Sequence, residues 1–417
     1  LAQAVLEVAP LLVAPPGTPV EEICISRRAQ DLPGSNCYFG RFAKVHERIA
    51  DETPPGAHCP PLRDLVVSGE PYEGDMWLQD AMQWAYTRTP FAYLPVAVRM
   101  PRGRPLRLWA RDLLGQDIGT VRPCPWPDYG VQPISLAYGG NCEAGAASAI
   151  DARGCFVHGF HAGEFPMPNL ENDKLARLRD FLDETGRQRI LAIDTSWLSV
   201  GHVDEIVSFV PDPDQDGGVI MLVASPGTAI AILETMAGAR VPEKFANRYR
   251  DLADVPDDAA QEDGEPVLLW KYFLEGTVDG YDETSLTSYN LAIERRLFGD
   301  DLDPSQPPAL RPLLDAIADA DLEIIRVPVL FYRLDDAVEG FTHASALLPN
   351  SLNLVPVGGR LLAPDPVLPR FKKALDERFG VDWIETFDFL HSERGGLHCV
   401  TNVKPRCPDE AWWRTGE

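Results

Sequence analysis

The sequence predicts a mixed α/β fold, and three observations carry that expectation. Short apolar runs of β-prone residues recur along the chain, at Leu94–Val98, Ile190–Ile193, Ile206–Val210 and Val219–Val223. Amphipathic stretches of helical period stand among them, clearest from Asn169 to about Thr185, where Leu175, Leu178, Phe181 and Leu182 share a face. The order strand, strand, helix, strand then recurs, which is the pattern of mixed α/β units rather than of a bundle or a sandwich. No run of eighteen apolar residues occurs, so no membrane-spanning helix is expected.

Taken in order, Val5–Val13 reads as an early strand, followed by a proline-rich connection to residue 35. Residues 51–75, rich in Pro, Gly and acid, read as an exposed loop. Leu94–Val98 is a strand, and Arg99–Arg104 after it puts three arginines into six residues. That is either a solvated basic loop or a clamp for carbonyls and carboxylates. Gly139–Gly140–Asn141–Cys142–Glu143 is a tight turn without dinucleotide-binding spacing. The helix beginning at Asn169 has that residue as its cap and Gly186 as its stop. Ile206–Val210 and Val219–Val223 form a hairpin over the acidic turn Asp212–Gly217. The turn mimics the start of a calcium loop, but Val223 stands where the closing carboxylate belongs. Helices follow near 226–237, 285–297, 309–319 and 369–379, with strands near 322–332, 352–363 and 381–389. The polar stretch 251–265 reads as a loop, the segment best suited to disorder.

The charge balance narrows the partners. With 63 acids against 38 bases, the net charge of −25 repels nucleic acid and anionic lipid and suits a basic substrate, although solubility alone would also account for it. Among the eight cysteines no Cys-x-x-Cys pair occurs, so neither a zinc ribbon nor a thioredoxin motif is supported. No signal-peptide pattern follows Leu1, which reads as a processed end; compartment and oligomeric state are not encoded in any recognisable segment.

The chemistry concentrates around Trp197–Glu205. In an extended chain His202 and Asp204 point to one side, a costly pair to bury among apolar neighbours without a task, though a structural pair closing a turn would look the same. Asp80 is similarly set among aromatics, as a cap or as a working carboxylate. Cys399 follows a Gly-Gly pair and precedes a β-prone run; it is a candidate nucleophile or an inert core cysteine. A Cys–His pair alone permits acyl transfer. Two carboxylates in addition fit a planar cation, because a guanidinium offers paired N–H donors. Thiolate attack on the guanidinium carbon with loss of ammonia is then the natural reaction.

Trp77–Asp80, Trp197–Glu205 and His398–Val403 resemble the corresponding segments of the protein-arginine deiminases, and Val8–Pro10 and Trp412–Trp413 are similar to the ends of that family's catalytic domain. The resemblance spans residues 1–417 as one catalytic domain, without the immunoglobulin-like domains that precede it in the animal enzymes. It implies a five-bladed α/β propeller, the pentein fold, of strand–strand–helix–strand modules around a central cleft. It implies a hydrolase that converts peptidyl-arginine to peptidyl-citrulline, a post-translational modification, with arginine-containing proteins or peptides as partners. Cys399 would be the nucleophile, His202 the general acid and base, and Asp80 and Asp204 the guanidinium-holding carboxylates. Trp77 would wall the substrate methylenes, Arg104 would hold a peptide carbonyl, and Arg102 is the second candidate for that role. The arginine just ahead of the nucleophile has no match in register: Glu393 takes its place and Arg394 lies one residue off.

The resemblance also implies calcium. For one ion, Gln79, Glu143 and the backbone oxygens of Gly139 and Cys142 are retained, while Gln83 replaces a glutamate. For a second, Ala81, Arg99 and Gly103 replace oxygen donors. The expectation is one weakly held calcium or activity without it. The rival readings are a deiminase of a small guanidine (arginine, agmatine or methylarginine), a non-catalytic arginine-binding module, and a cysteine peptidase.

Overall fold

The computed structural model describes residues 12–13, 18–55, 57–67, 71–72, 74–88, 93–100, 105–115, 117–123, 139–145, 154–160, 180–181, 183–184, 188–215, 217–262, 265–276, 284–299, 308–318, 322–336 and 341–406. Five of its sheets share one plan. In each, a first strand pairs antiparallel with a second, and the second pairs parallel with a third reached by a crossover. Parallel neighbours need a connection of a dozen residues or more, which is where the helices go.

Three of the five sheets are built from consecutive strands and short crossovers. Met82–Arg88, Tyr93–Arg99 and Gly119–Val121 form one, with Leu12–Val13 added at its edge. Cys142–Gly145, Cys155–Phe160 and Arg189–Asp194 form the next. Val355–Val357, Arg360–Pro364 and Val381–Ile384 form another, crossed by the helix Pro369–Asp376. In the fourth, the expected hairpin is present: Val207–Pro211 pairs with Val219–Ser225, register Phe209 to Met221. Its third strand, Glu323–Pro328, follows a long crossover that carries Pro226–Glu234, Leu286–Phe298 and Arg311–Ile317. Val219–Ser225 is buried almost end to end, as a strand covered on both faces requires.

The remaining sheet joins the two ends of the described chain. Val20–Arg27 lies between Leu62–Val66, parallel to it, and Thr401–Pro405, antiparallel to it. The crossover is the helix Tyr38–Glu52, which buries Tyr38, Phe39, Phe42, Ala43, His46 and Ile49 along one face. Leu62–Val66 lies where the composition suggested only loop, and the helix falls almost wholly in residues 36–50, which carried no expectation. A further hairpin, Phe331–Asp336 with Phe341–Ala346, touches the Trp197–His202 segment through a bridge from Ala344 to Leu198.

The α/β class is therefore borne out, and every sheet stays open among the described residues. The expected helices near 226–237, 309–319 and 369–379 are present with shorter bounds, and the one near 285–297 is present one residue further on, at Leu286–Phe298. The helix expected over 169–185 and the strand over Val5–Val13 lie mostly outside the described residues, as do Trp412 and Trp413. The stretch 251–265 is largely irregular but tied down, with Arg240 paired to Glu262 and Arg250 to Glu265.

The turn Asp212–Gly217 does not present an open carboxylate cluster. Arg378 reaches Asp212 at 2.6 Å and Glu323 at 3.0 Å, and also pairs with Asp214. A guanidinium thus stands where the turn's resemblance to a calcium loop would place a cation.

Candidate active site

The same place in each of the five sheets supplies the polar centre: the one to three residues ahead of the first strand. Asp80 lies two residues before Met82–Arg88, in the 3-10 turn Gln79–Ala81. Asn141 ends the turn Gly139–Asn141 and is followed by Cys142–Gly145. Asp204 sits in the turn Val203–Glu205 ahead of Val207–Pro211. Asn353 precedes Val355–Val357, and Cys399, in the helical turn Leu397–Val400, precedes Thr401–Pro405. Chain ends of this kind leave backbone donors and acceptors free to bind side chains, which is why the polar residues collect there.

His202 and Asp204 are thus not two positions of an extended strand. Only His202 is extended; Asp204 has turned into a 3-10 helix, and both side chains are buried. Glu205 closes this turn by accepting from the His202 backbone N–H at 3.2 Å, and burial followed by the Asp204 charge raises its pKa to about 8.

Two pairs form the centre. His202 Nδ1 stands 3.8 Å from Asp80 Oδ1, which also accepts from the Gly140 N–H at 3.4 Å. A Cβ on Gly140 would meet His202 Nδ1 at 2.5 Å and Asp80 Oδ1 at 3.1 Å, so only glycine lets the turn pass between them. In the second pair, the Cys399 thiol lies 3.9 Å from Asp204 Oδ2. That oxygen also accepts from Asn353 Nδ2 at 2.8 Å and lies 2.9 Å from His398 Nδ1. Asp204 Oδ1, equally buried, has no partner among the described residues. A buried carboxylate oxygen left unpaired is costly, and a cationic donor arriving there would repay it.

The electrostatics follow from this arrangement. Burial, then the Asp204 and Asp80 charges, push the Cys399 thiol well above its ordinary value, against hydrogen bonds from Gly396 and Asn353. Burial pulls His398 toward neutrality, but the Asp204 hydrogen bond and the charges of Glu143 and Asp204 outweigh it and raise its pKa to about 8. Burial lifts Glu143, 3.8 Å from that imidazole, to about 7. With the cleft empty the sulfur is protonated; a positive charge set against the two aspartates brings it down.

The Trp77 ring packs against Gly395, where any side chain would run into it. Arg394 holds a left-handed backbone (φ 62°) and donates to Ser199 Oγ at 3.3 Å, so it spans from the segment ahead of Cys399 to the loop that carries His202. Glu393 pairs instead with Arg28. Arg102 and Arg104 lie outside the described residues.

The expected calcium donors converge but do not fit a cation as they stand. The carbonyls of Gly139 and Cys142 both accept from Gln83 Nε2, at 2.7 and 3.1 Å. The amide nitrogen fills the point between them, where an ion would have to be. Gln79 Oε1 accepts from Asn402, and Glu143, the one carboxylate of the set, faces His398. A hard dication takes several anionic oxygens and leaves none facing N–H donors. The residues that sequence reasoning overlooked are Asn353, which has the two carboxyl- and sulfur-directed bonds described above, and Asn141, whose side chain binds Gly159 O and the Val203 N–H.

Compared with known proteins, the chain matches the family model of protein-arginine deiminase over residues 2–258. The chain belongs to the protein-arginine deiminase family. It is 27% identical to protein-arginine deiminase type-1 of Homo sapiens over 419 residues, covering 97% of this chain and 56% of that protein. With protein-arginine deiminase type-4 of Homo sapiens it shares 26% over 425 residues, covering 98% and 56%. This member of the family thus spans about half the length of the curated relatives it matches. Among solved structures, a C. jejuni agmatine deiminase aligns at TM-score 0.46 and 10% identity, over 97% of this chain and 99% of that one. A putative arginine deiminase from Porphyromonas gingivalis aligns at TM-score 0.46 and 13% identity, over 95% and 98%.

Proposed function

We propose that this chain deiminates arginine side chains in proteins or peptides, converting guanidino to ureido groups and releasing ammonia. The observation that carries it is the state of Asp204. One carboxylate oxygen is fixed by Asn353 and His398 beside the Cys399 sulfur, and the other is buried without a partner among the described residues. A guanidinium satisfies that oxygen, places its carbon against the sulfur, and supplies the charge that lowers the thiol pKa.

In this reading Asp80 and Asp204 hold the guanidinium from two sides while Trp77 covers the aliphatic stem. Cys399 gives its proton to His202 and its sulfur bonds to the guanidinium carbon. The carbon–nitrogen bond then breaks as His202 protonates the departing nitrogen, which leaves as ammonia. A thiouronium remains. Water deprotonated by His202 adds to the same carbon, the carbon–sulfur bond breaks, and citrulline leaves as His202 returns the proton to the sulfur and restores the thiol. The five like sheets would surround this cleft as a five-bladed propeller, each offering its first strand's leading turn. Gln83 in place of a cation supports activity without calcium.

Ammonia and ureido product measured with a blocked arginine ester and with free arginine test the reading. Turnover of the blocked ester, lost in Cys399→Ser, is the expected result. Turnover of free arginine, agmatine or methylarginine alone would assign the site to small guanidines. Binding of arginine peptides without any product would assign it to a non-catalytic module, and peptide cleavage without ammonia to a peptidase.

A further inference from the structure

Asn353 makes more contacts to the catalytic groups than any role yet given to it explains. Its Nδ2 donates to Asp204 Oδ2 at 2.8 Å and faces Cys399 Sγ at 3.3 Å. Its Oδ1 accepts the Cys399 backbone N–H at 3.2 Å, and its own carbonyl accepts the His398 N–H at 3.2 Å. An amide has two donor hydrogens, and here one goes to the carboxylate and one to the sulfur. The orientation is fixed by the chemistry: turned over, the amide would set oxygen against carboxylate and nitrogen against an N–H. Gly396 leaves the space, since a side chain there would collide with Asn353 Oδ1. The residue is almost wholly buried and sits two residues ahead of Val355–Val357. The other four sheets deliver Asp80, Asn141, Asp204 and Cys399 from the corresponding turn, one to three residues ahead of the first strand.

We propose that Asn353 is a further member of the catalytic set, whose side-chain amide fixes the Cys399 sulfur against the Asp204 carboxylate and donates to the sulfur once it is ionised. The proposal rests on the assignment of Cys399 as nucleophile but not on which guanidine is the substrate. Without the amide the sulfur faces the Asp204 carboxylate with one hydrogen-bond donor fewer, and the approach loop loses the Oδ1 anchor of the Cys399 N–H, while the Asn353 backbone carbonyl still holds the His398 N–H.

The test reads the thiol directly. Alkylation of Cys399 by iodoacetamide, followed by mass spectrometry of the peptide that carries it, gives a rate against pH with no arginine present. In Asn353→Ala the apparent thiol pKa is expected to rise by about one unit and the rate at neutral pH to fall about tenfold, as for a lost hydrogen bond to a charged group. Where the arginine reaction is measurable, kcat falls tenfold or more with KM changed much less. The near-isosteric, uncharged Asn353→Leu fills the same space, removes the donor and carries the same expectation; it serves if the alanine variant does not fold. A folded variant of either kind whose Cys399 alkylates with the wild-type pH profile overturns the proposal. Loss of reactivity in these variants together with no arginine turnover by the wild type would leave Asn353 standing and sink the substrate assignment.

Discussion

Replacing Gln83 by glutamate exchanges an amide for a carboxylate of the same shape and should convert a hydrogen-bonded latch into an ion site. The wild-type amide nitrogen bridges the Gly139 and Cys142 carbonyls at 2.7 and 3.1 Å. With an anionic oxygen in its place both bonds are lost, at about 1 kcal/mol each, and carbonyl oxygens face a like-charged group at a cost of about 1–2 kcal/mol more. The sum is about 3–4 kcal/mol. For a chain of this length, at about 2 cal/mol/K of unfolding entropy per residue, this corresponds to a Tm lowered by about 4–5 °C. The introduced carboxylate and Glu143, with the two carbonyls, then make a set that a calcium ion can occupy. Thermal unfolding in chelator and in millimolar calcium is the assay. The expected pattern is a wild type whose Tm ignores calcium, and a Gln83→Glu variant that is destabilised in chelator and recovers when calcium is added. The same turn presents the Gly140 N–H to Asp80, so deimination should follow the same pattern. A wild type stabilised by calcium, or a variant indifferent to it, would refute the reasoning.

Gly140→Ala drives a methyl group between His202 and Asp80, and kcat/KM for deimination should fall at least a hundredfold with far-UV circular dichroism unchanged; near-normal turnover would show that the two groups need not meet. Asp204→Asn removes the charge expected to bind the guanidinium, and at roughly 1.5–3 kcal/mol for a charge-assisted bond kcat/KM should drop by about 10–100-fold or more; steady-state kinetics on a blocked arginine ester reads it. His391 is buried between Tyr249 and the Leu347 carbonyl, and burial, with Arg248 nearby, lowers its pKa to about 4 from 6.5. The unfolded chain takes up this proton first, so its contribution is complete above about pH 6.5 and falls away between there and pH 4, by roughly 3 kcal/mol. Denaturant titrations at pH 7 and pH 4.5 should show a smaller acid loss in His391→Gln than in the wild type.

The hairpin at Val207–Ser225 was legible because both strands are apolar and the turn between them is dense in Asp and Gly. The strand Val20–Arg27 was not, since Glu21, Glu22 and Arg27 interrupt the apolar run while Ile23 and Ile25 are wholly buried. Leu62–Val66 hides in the same way behind Arg63 and Asp64, within a stretch whose prolines and glycines suggested only loop. In the site, His202, Asp204, Asp80 and Cys399 stand out as chemistry-bearing types in unlikely surroundings and through the family's motifs. Their local shape does not, because a two-residue period cannot distinguish an extended pair from a turn that starts after the first residue. Asn353 has no such signal: in Ser351–Leu352–Asn353–Leu354 it reads as the start of the strand expected over 352–363, whereas the strand begins only at Val355. It becomes visible once the five sheets are set side by side and the turn before each first strand is compared. Gln83 stands out in the sequence as a substitution, but only the structure shows the amide taking the two carbonyls for itself.

The strand Thr401–Pro405 seals a sheet whose other members lie between residues 20 and 66, with Val20 opposite Pro405 and Ile25 opposite Thr401. Translation therefore delivers the sulfur long after both aspartates and the imidazole. Until that late β-segment zips onto its waiting edge, a nascent copy holds the aspartates and the imidazole without the thiol beside them. Ribosome stalling or proteolytic trimming at this seam would leave a polypeptide lacking Cys399 in place, and the edge of Val20–Arg27 bare to other chains.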